Sequence, residues 1–228
     1  MKVIRANTMG HAHEHVVRLI MRKHIELTTE DGEVTWEYPE TVCIHVTQAI
    51  NEPQVSSCCM FGKRFMEEYV KKVVEITPYK GDGTDAVYTY GNRLRDYPII
   101  DSYGSVRGNG RKDGIDQLEH VIGKLKNSLE TRRAVIHTWN VELDGGSTEP
   151  PCLQLVQFLV RNGLLNVHAY FRSNDMLSAW GANVFALRHL QRMVAKRIGT
   201  GSGYIETISI SAHLYPVRDA YELKRFEI

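Results

Sequence analysis

Cys152 follows directly on Pro150-Pro151, and arginines flank it in the chain: Arg132-Arg133 about twenty residues before and Arg172 about twenty after. A cysteine attacks as its thiolate, and cationic neighbours lower the thiol from its ordinary value of about 8.5. Guanidinium groups also bind phosphate through paired hydrogen bonds. Gathered in one place, these residues could hold an anionic substrate and activate a sulfur against it. The two prolines fix φ, so the cysteine side chain leaves a stiffened segment. Types and spacing leave a second reading open. A cysteine at a strand start also serves as a small buried hydrophobe, and arginines at element ends also pair with surface acids.

Two other groups could carry chemistry. His11, His13 and His15 alternate, as metal ligands on one face of a strand would, but the helical pattern that follows turns them to different faces, so no metal is expected. Cys58-Cys59 are neighbours, where a disulfide is strained, and core packing is the expectation. With 28 basic against 27 acidic residues, the formal charge of +1 gives no field for a nucleic-acid polymer and leaves room for a small anion. The four cysteines show no metal-ligand spacing. A chain of 228 residues, 43% hydrophobic, needs no disulfide to fold, which fits a reducing cytoplasm. No apolar run approaches the roughly 18–20 residues that span a bilayer, and no leader is evident, so a soluble cytoplasmic protein without membrane contact is expected.

These residues need elements to position them. Apolar periodicity predicts helices over 13–24, 65–76 and 115–129; in the second the apolar positions are 65, 66, 69, 70, 73, 74 and 76. A turn at 30–32 between short strands and a β-branched strand over 42–46 precede the second helix, and a Gly/Asp turn at 80–84 follows it. Strands are predicted over 134–139, 153–160 and 164–171, the last two joined at Asn162-Gly163, a hairpin signal. Ser173, Asn174 and Asp175 offer capping oxygens for a long helix ending at Ile198, with Gly199 as its stop. A last strand covers 204–212. No repeat or linker interrupts this order, and one mixed α/β domain over 1–228 is the reading.

Arg132-Arg133, Thr138-Trp139-Asn140, Pro150-Pro151-Cys152, Gln157-Phe158, Arg172-Ser173, Asp175, Asn183 and His213-Leu214-Tyr215 together resemble the thymidylate synthase family, over about 88–215 and without insertion after Cys152. The resemblance implies that fold, with a mixed β-sheet packed by helices. It implies that Cys152 adds to C6 of a pyrimidine nucleotide, that Arg172 touches both phosphate and thiolate, and that Arg132 and Arg133 reach phosphate from a neighbouring subunit of a homodimer. Ser173 would contact phosphate, Asp175 the base and pterin, Asn183 the pyrimidine edge, and His213 and Tyr215 the sugar 3′-hydroxyl. Tyr90 resembles the tyrosine of a proton-shuttling water network. The family glutamate falls at Glu67 or Glu68.

The implied chemistry accounts for these residue types. C5 of a pyrimidine becomes nucleophilic once a thiolate has added to C6, and a thiolate also leaves well. Negative charge then grows on the O4 or N4 edge, where hydrogen-bond donors stabilise it. The carbon comes from 5,10-methylene-tetrahydrofolate or methylene-tetrahydromethanopterin. The product is dTMP if the pterin returns a hydride to dUMP, and a hydroxymethyl pyrimidine if water adds instead, as in dCMP/CMP hydroxymethylases. Asn183 favours uracil, since its amide can donate to O4 and accept from N3; the hydroxymethylases tend to have aspartate there. A non-catalytic nucleotide or RNA binder is the alternative of another class. The sequence departs from the usual bacterial pattern at Leu153, Phe171 and Trp180-Gly181-Ala182, and the long C-terminal lid of many members is not expected.

Overall fold

Thr8 begins the first helix four residues before periodicity alone places it, because its Oγ1 accepts from the amide of His11 at 3.3 Å. In the computed structural model, which describes residues 1–227, the elements run β1 (Lys2–Ala6), α1 (Met9–Arg22), β2 (Ile25–Thr28), β3 (Val34–Glu37), β4 (Val42–Val46), α2 (Lys63–Val74), α3 (Tyr90–Arg95), β5 (Ile99–Ile100) and β6 (Val106–Arg107). They continue with α4 (Gln117–Asn127), β7 (Val135–His137), α5 (Val141–Asp144), β8 (Leu153–Arg161), β9 (Leu164–Asp175), α6 (Trp180–Ile198), β10 (Gly201–Leu214) and α7 (Ala220–Leu223).

The main sheet has the order β1-β4-β10-β9-β8-β7, with the β2–β3 hairpin joined through β3 to the end of β10. It is mixed, as expected for an α/β chain: β1–β4 and β9–β10 are parallel, the other pairs antiparallel. Helix α6 links the parallel strands β9 and β10, lies against both, and is flanked by α1, α2 and α4. Because it is enclosed, it is buried on most sides, through Trp180, Val184, Phe185, Leu187, Leu190 and Val194 and also through the polar Asn183, Arg188 and Gln191. Gly199 ends it in the left-handed region at φ 76°, where a Cβ would be costly. Asn162 and Gly163 both take positive φ, 52° and 74°, and turn β8 into β9 as the sequence predicted.

Three differences bear on the site. Strand β9 runs through Ser173 and Asn174 to Asp175, pairing them with Ser211, Ala212 and His213 of β10. Of the three expected caps only Asp175 acts as one: its Oδ1 accepts from the amides of Leu177 and Ser178, each at 3.0 Å, and α6 starts later, at Trp180. Helix α3 and strand β1 were not foreseen. The alternating histidines all fall in α1; His13 is buried and braces the turn before α6 through Met176 O at 2.8 Å and Leu177 O at 3.2 Å.

Candidate active site

Cys152 sits where the chain enters β8. The register against β9 shifts between Leu153 and Leu155, a bulge of the kind that re-aims side chains at sheet ends. The carbonyl of Cys152 accepts from the amide of Arg172 at 3.0 Å, so the two residues face each other across the hairpin. The guanidinium of Arg172 then folds back, with Nε donating to Pro151 O at 3.1 Å and Nη2 to Pro150 O at 2.8 Å. The same Nη2 stands 3.9 Å from Cys152 Sγ. One arginine thus clamps the diproline segment and lies beside the sulfur. Burial pushes the Cys152 thiol up, Arg172 pulls it back only in part, and Asp175 adds to the rise. The expected net lowering by arginine is outweighed, and in the free chain the sulfur rests as a thiol.

Three of the four phenols that line the same cavity come from α2, α3 and the segment between them. Tyr90 opens α3, which Thr89 caps through its Oγ1 and the amide of Asn92 at 3.1 Å. The Tyr90 hydroxyl accepts from the amide of Leu153, next to the sulfur, at 3.1 Å. The ring of Tyr88 lies 5.5 Å from that of Tyr90. Tyr69, from α2, donates its hydroxyl to Asn183 Oδ1 at 2.7 Å. Burial pushes all three phenols up, so they stay protonated. Helix α3 is anchored by Arg93, whose fork meets both oxygens of Asp144 at 2.7 and 3.1 Å and whose Nη1 also reaches Thr138 O at 3.3 Å. Both partners are fully buried, so losing one would leave an uncompensated charge, costing about 3–5 kcal/mol.

The cavity, ≈ 480 Å³, also takes in Ser173, Asp175, Asn183, His213 and Tyr215. Its volume lies in the range that holds a small-molecule ligand. Ser173 Oγ is 3.5 Å from His213 Nδ1. Burial lowers the His213 imidazole, opposed in part by Asp175, so the ring is favoured neutral. Tyr215 meets His213 edge-on at 5.1 Å and carries the guanidinium of Arg218 4.0 Å from its ring centroid. Arg218 also bonds Asp175 Oδ2 at 2.6 Å. Asp175 is therefore engaged on both oxygens, by backbone amides and by Arg218.

The family described as Thymidylate synthase matches residues 19–222 of this sequence. The chain belongs to the thymidylate synthase family. It is 42% identical to a Methanothermobacter marburgensis protein over 89% of this chain and 87% of the relative. It is 33% identical to one from Methanocaldococcus jannaschii (99% and 96%) and 32% identical to one from Methanosarcina barkeri (94% and 89%). Each of the three is named "Putative thymidylate synthase". The family uses one-carbon transfer to a nucleotide, with a folate-type donor.

Of the residues that the thymidylate synthase resemblance marks, eight share the cavity: Cys152, Arg172, Tyr90, Asp175, Ser173, Asn183, His213 and Tyr215. Arg132 and Arg133 do not. They are exposed just before β7, and neither lines the cavity of its own chain. Glu67 and Glu68 are both exposed on α2 and outside the cavity, Glu68 pairing with Arg64 at 3.3 Å. The α2 residue that enters the site is Tyr69. Sequence reasoning placed it on the apolar face of that helix and passed over its hydroxyl, the polar handle that marks a tyrosine off from its neighbours there. Tyr88, Arg218 and the hairpin-tip acids Glu30 and Asp31 also line the cavity and were not singled out. Among the described residues, no group of three or more His, Cys, Asp or Glu side chains could hold a metal ion, and no helix is long and apolar enough to cross a membrane.

Proposed function

We propose that this chain is a thymidylate synthase that methylates dUMP to dTMP with Cys152 as nucleophile, working as a cytoplasmic homodimer of one-domain subunits. One observation carries the reading: Cys152 Sγ, 3.9 Å from Arg172 Nη2, shares a cavity with the Asn183 amide, so a single ligand can meet sulfur, cation and base-reading group together. In this reading Arg172 and Ser173 hold phosphate and His213 and Tyr215 hold the sugar. The thiolate adds to C6 and makes C5 nucleophilic, while Arg172 balances the sulfur's charge. Asn183 donates to O4 as charge grows there. Tyr90, bonded beside the sulfur at Leu153, serves proton movement, and Asp175 and the turn it caps face base and pterin.

The donor, 5,10-methylene-tetrahydrofolate or methylene-tetrahydromethanopterin, supplies the methylene carbon and the hydride. An adjoining cavity of ≈ 470 Å³ supports its fit: it shares Tyr69, Tyr88 and Tyr90 with the first, and aromatic walls suit a flat fused heterocycle. Mass spectrometry of products from dUMP, dCMP and CMP with either donor tests the reading. dUMP should gain a methyl mass and the donor should emerge oxidised. A hydroxymethyl product with the donor left at the tetrahydro level would replace the synthase by a hydroxymethylase, and nucleotide binding without turnover would leave a binding protein.

Arg132 and Arg133 act in trans in this reading. A dianionic phosphate needs several donors, and Arg172 spends two of its nitrogens on the diproline carbonyls. A two-fold axis would bring each arginine pair to its neighbour's cleft. Mixing Cys152→Ala with Arg132→Ala/Arg133→Ala subunits should regenerate one intact site per heterodimer and restore part of the activity. Heterodimers confirmed by native mass spectrometry yet inactive would rule out the shared site.

A further inference from the structure

An asparagine amide has two faces: turned by half a rotation, it exchanges a donor for an acceptor. Facing a pyrimidine, the donor end suits the 4-keto oxygen of uracil and the acceptor end the 4-amino group of cytosine. A free Asn183 could serve either base. It is not free, because the Tyr69 hydroxyl donates to its Oδ1 at 2.7 Å, while Asn183 Nδ2 has no partner among the described residues and Asn183 lines the cavity. We propose that Tyr69 is the positioning residue that selects a 4-keto over a 4-amino pyrimidine, by holding the Asn183 amide with its donor end toward the base. The inference rests on the reading of Asn183 as the group that meets the pyrimidine edge.

The lock works through the hydrogen of the phenol. If the amide turned, Nδ2 could donate to the phenol oxygen, but the phenolic hydrogen would lose its acceptor, since among the described residues Tyr69 makes no other hydrogen bond. Tyr69 is half-buried, and stripping its donor of the one protein acceptor costs more than the bond itself gains. Burial pushes the phenol up, so it keeps that hydrogen at working pH. The ring cannot readily follow a turned amide. It lies nearly parallel to Phe65 at 6.3 Å, and Phe65 in turn stacks on Phe61 at 4.1 Å. Asn183 is itself fixed in the first turn of α6, its backbone N–H donating to Ala179 O at 2.9 Å.

The test is the ratio of dCMP to dUMP dissociation constants, measured by calorimetry on the full-length protein, together with the ratio of kcat/KM values. Tyr69→Phe keeps the ring and removes the hydroxyl. The dUMP-over-dCMP preference should fall about tenfold, mainly through tighter dCMP binding, with the thermal midpoint little changed. A role in packing alone would weaken both nucleotides in parallel and leave the ratio where it was, which overturns the proposal. Asn183→Ala, run beside it, separates the two layers. A ratio that collapses in Asn183→Ala but holds in Tyr69→Phe leaves Asn183 as base reader and refutes the role of Tyr69. A ratio unmoved in both removes the reading of Asn183 and the inference with it.

Discussion

Cys152 and Arg172 belong to a wall of the cleft made by strands, while Tyr69, Tyr88 and Tyr90 belong to one made by two helices and the segment between them. The strand wall is fixed by backbone pairing: β8 and β9 run in register from Arg161 and Leu164 up to Leu155 and Tyr170, Leu153 meets Phe171 beyond the bulge, and the Cys152 carbonyl extends the ladder by its bond to Arg172. The helical wall has no such ladder. It depends on single contacts, namely Arg93 on Asp144, the Thr89 cap, the Tyr69–Asn183 bond and the close backbone approach of Gly91 to the end of α2. Backbone pairing places atoms with little regard to sequence at each position, whereas side-chain anchorage makes every member of the set matter. The strand wall carries the charge of the site, and the helical wall carries its hydrogen-bond direction.

If the strand wall carries the chemistry, Cys152→Ala should have the largest effect. Turnover should fall about 10⁴-fold or more, because among the described residues no other thiol lines the cavity. Nucleotide should still bind, since Arg172, Ser173 and His213 are untouched. Turnover within tenfold of the parent would remove Cys152 from its role and with it the contrast between the walls.

If the helical wall depends on single contacts, Gly91→Ala should unfold it. A Cβ at Gly91 would collide with the Glu75 carbonyl, which is backbone and cannot swing aside. The expected loss is about 2–3 kcal/mol, read from chemical denaturation. A control addition outside both walls, Gly146→Ala in the exposed loop after α5, meets nothing within 4 Å and should cost almost nothing. Equal costs at the two positions would mean that the Gly91 contact does not anchor the helical wall.

The two walls also differed in how readable they were. The strand wall was largely legible, because Asn162-Gly163 marks its turn, the diproline marks its edge, and alternation over two strands leaves little choice of register. Even there, the extension of β9 through Ser173 and Asn174 was hidden: both are good caps, and only pairing with Ser211 and Ala212 reveals them as strand. The helical wall was nearly opaque. Gly91 and Asn92 are poor helix formers, so α3 leaves no periodic signal, and its stability comes from the Thr89 cap and the buried Arg93. Tyr69 fitted the apolar face of α2 well enough to conceal its polar end. Strand β1 is five residues long and is defined by its parallel partner β4. Arg132 and Arg133 were legible as a motif, yet both lie exposed outside the cavity of their own chain.

A smaller effect should follow from Tyr90→Phe. The Leu153 amide loses its 3.1 Å acceptor beside the sulfur, while the ring and its packing remain. Activity should drop about tenfold in kcat, the scale of one neutral hydrogen bond, with KM for dUMP nearly unchanged. A change confined to KM would assign Tyr90 to binding and not to the reacting centre.

The finest test concerns the sulfur itself, whose charge balance joins the two walls. Burial raises the Cys152 thiol, Arg172 lowers it, and Asp175 raises it, with burial the largest. Alkylation by iodoacetamide needs the thiolate, so its rate at Cys152, followed by peptide mass spectrometry, should climb with pH and reach its plateau above the range of an ordinary thiol. Arg172→Gln removes a cation from beside the sulfur and should move the profile further to alkaline pH. Asp175→Asn should move it to lower pH. It deletes a negative charge near the sulfur, while Arg218 stays paired with Asp219 through Nε at 2.7 Å and Nη2 at 2.6 Å. Losing the negative charge favours the thiolate, so the sign is set even if turnover itself declines. A shift to lower pH in Arg172→Gln, the same direction as in Asp175→Asn, would mean that loss of the clamp on Pro150 and Pro151, and not the lost cation, governs the sulfur. Opposite shifts would establish that the strand wall tunes its nucleophile electrostatically.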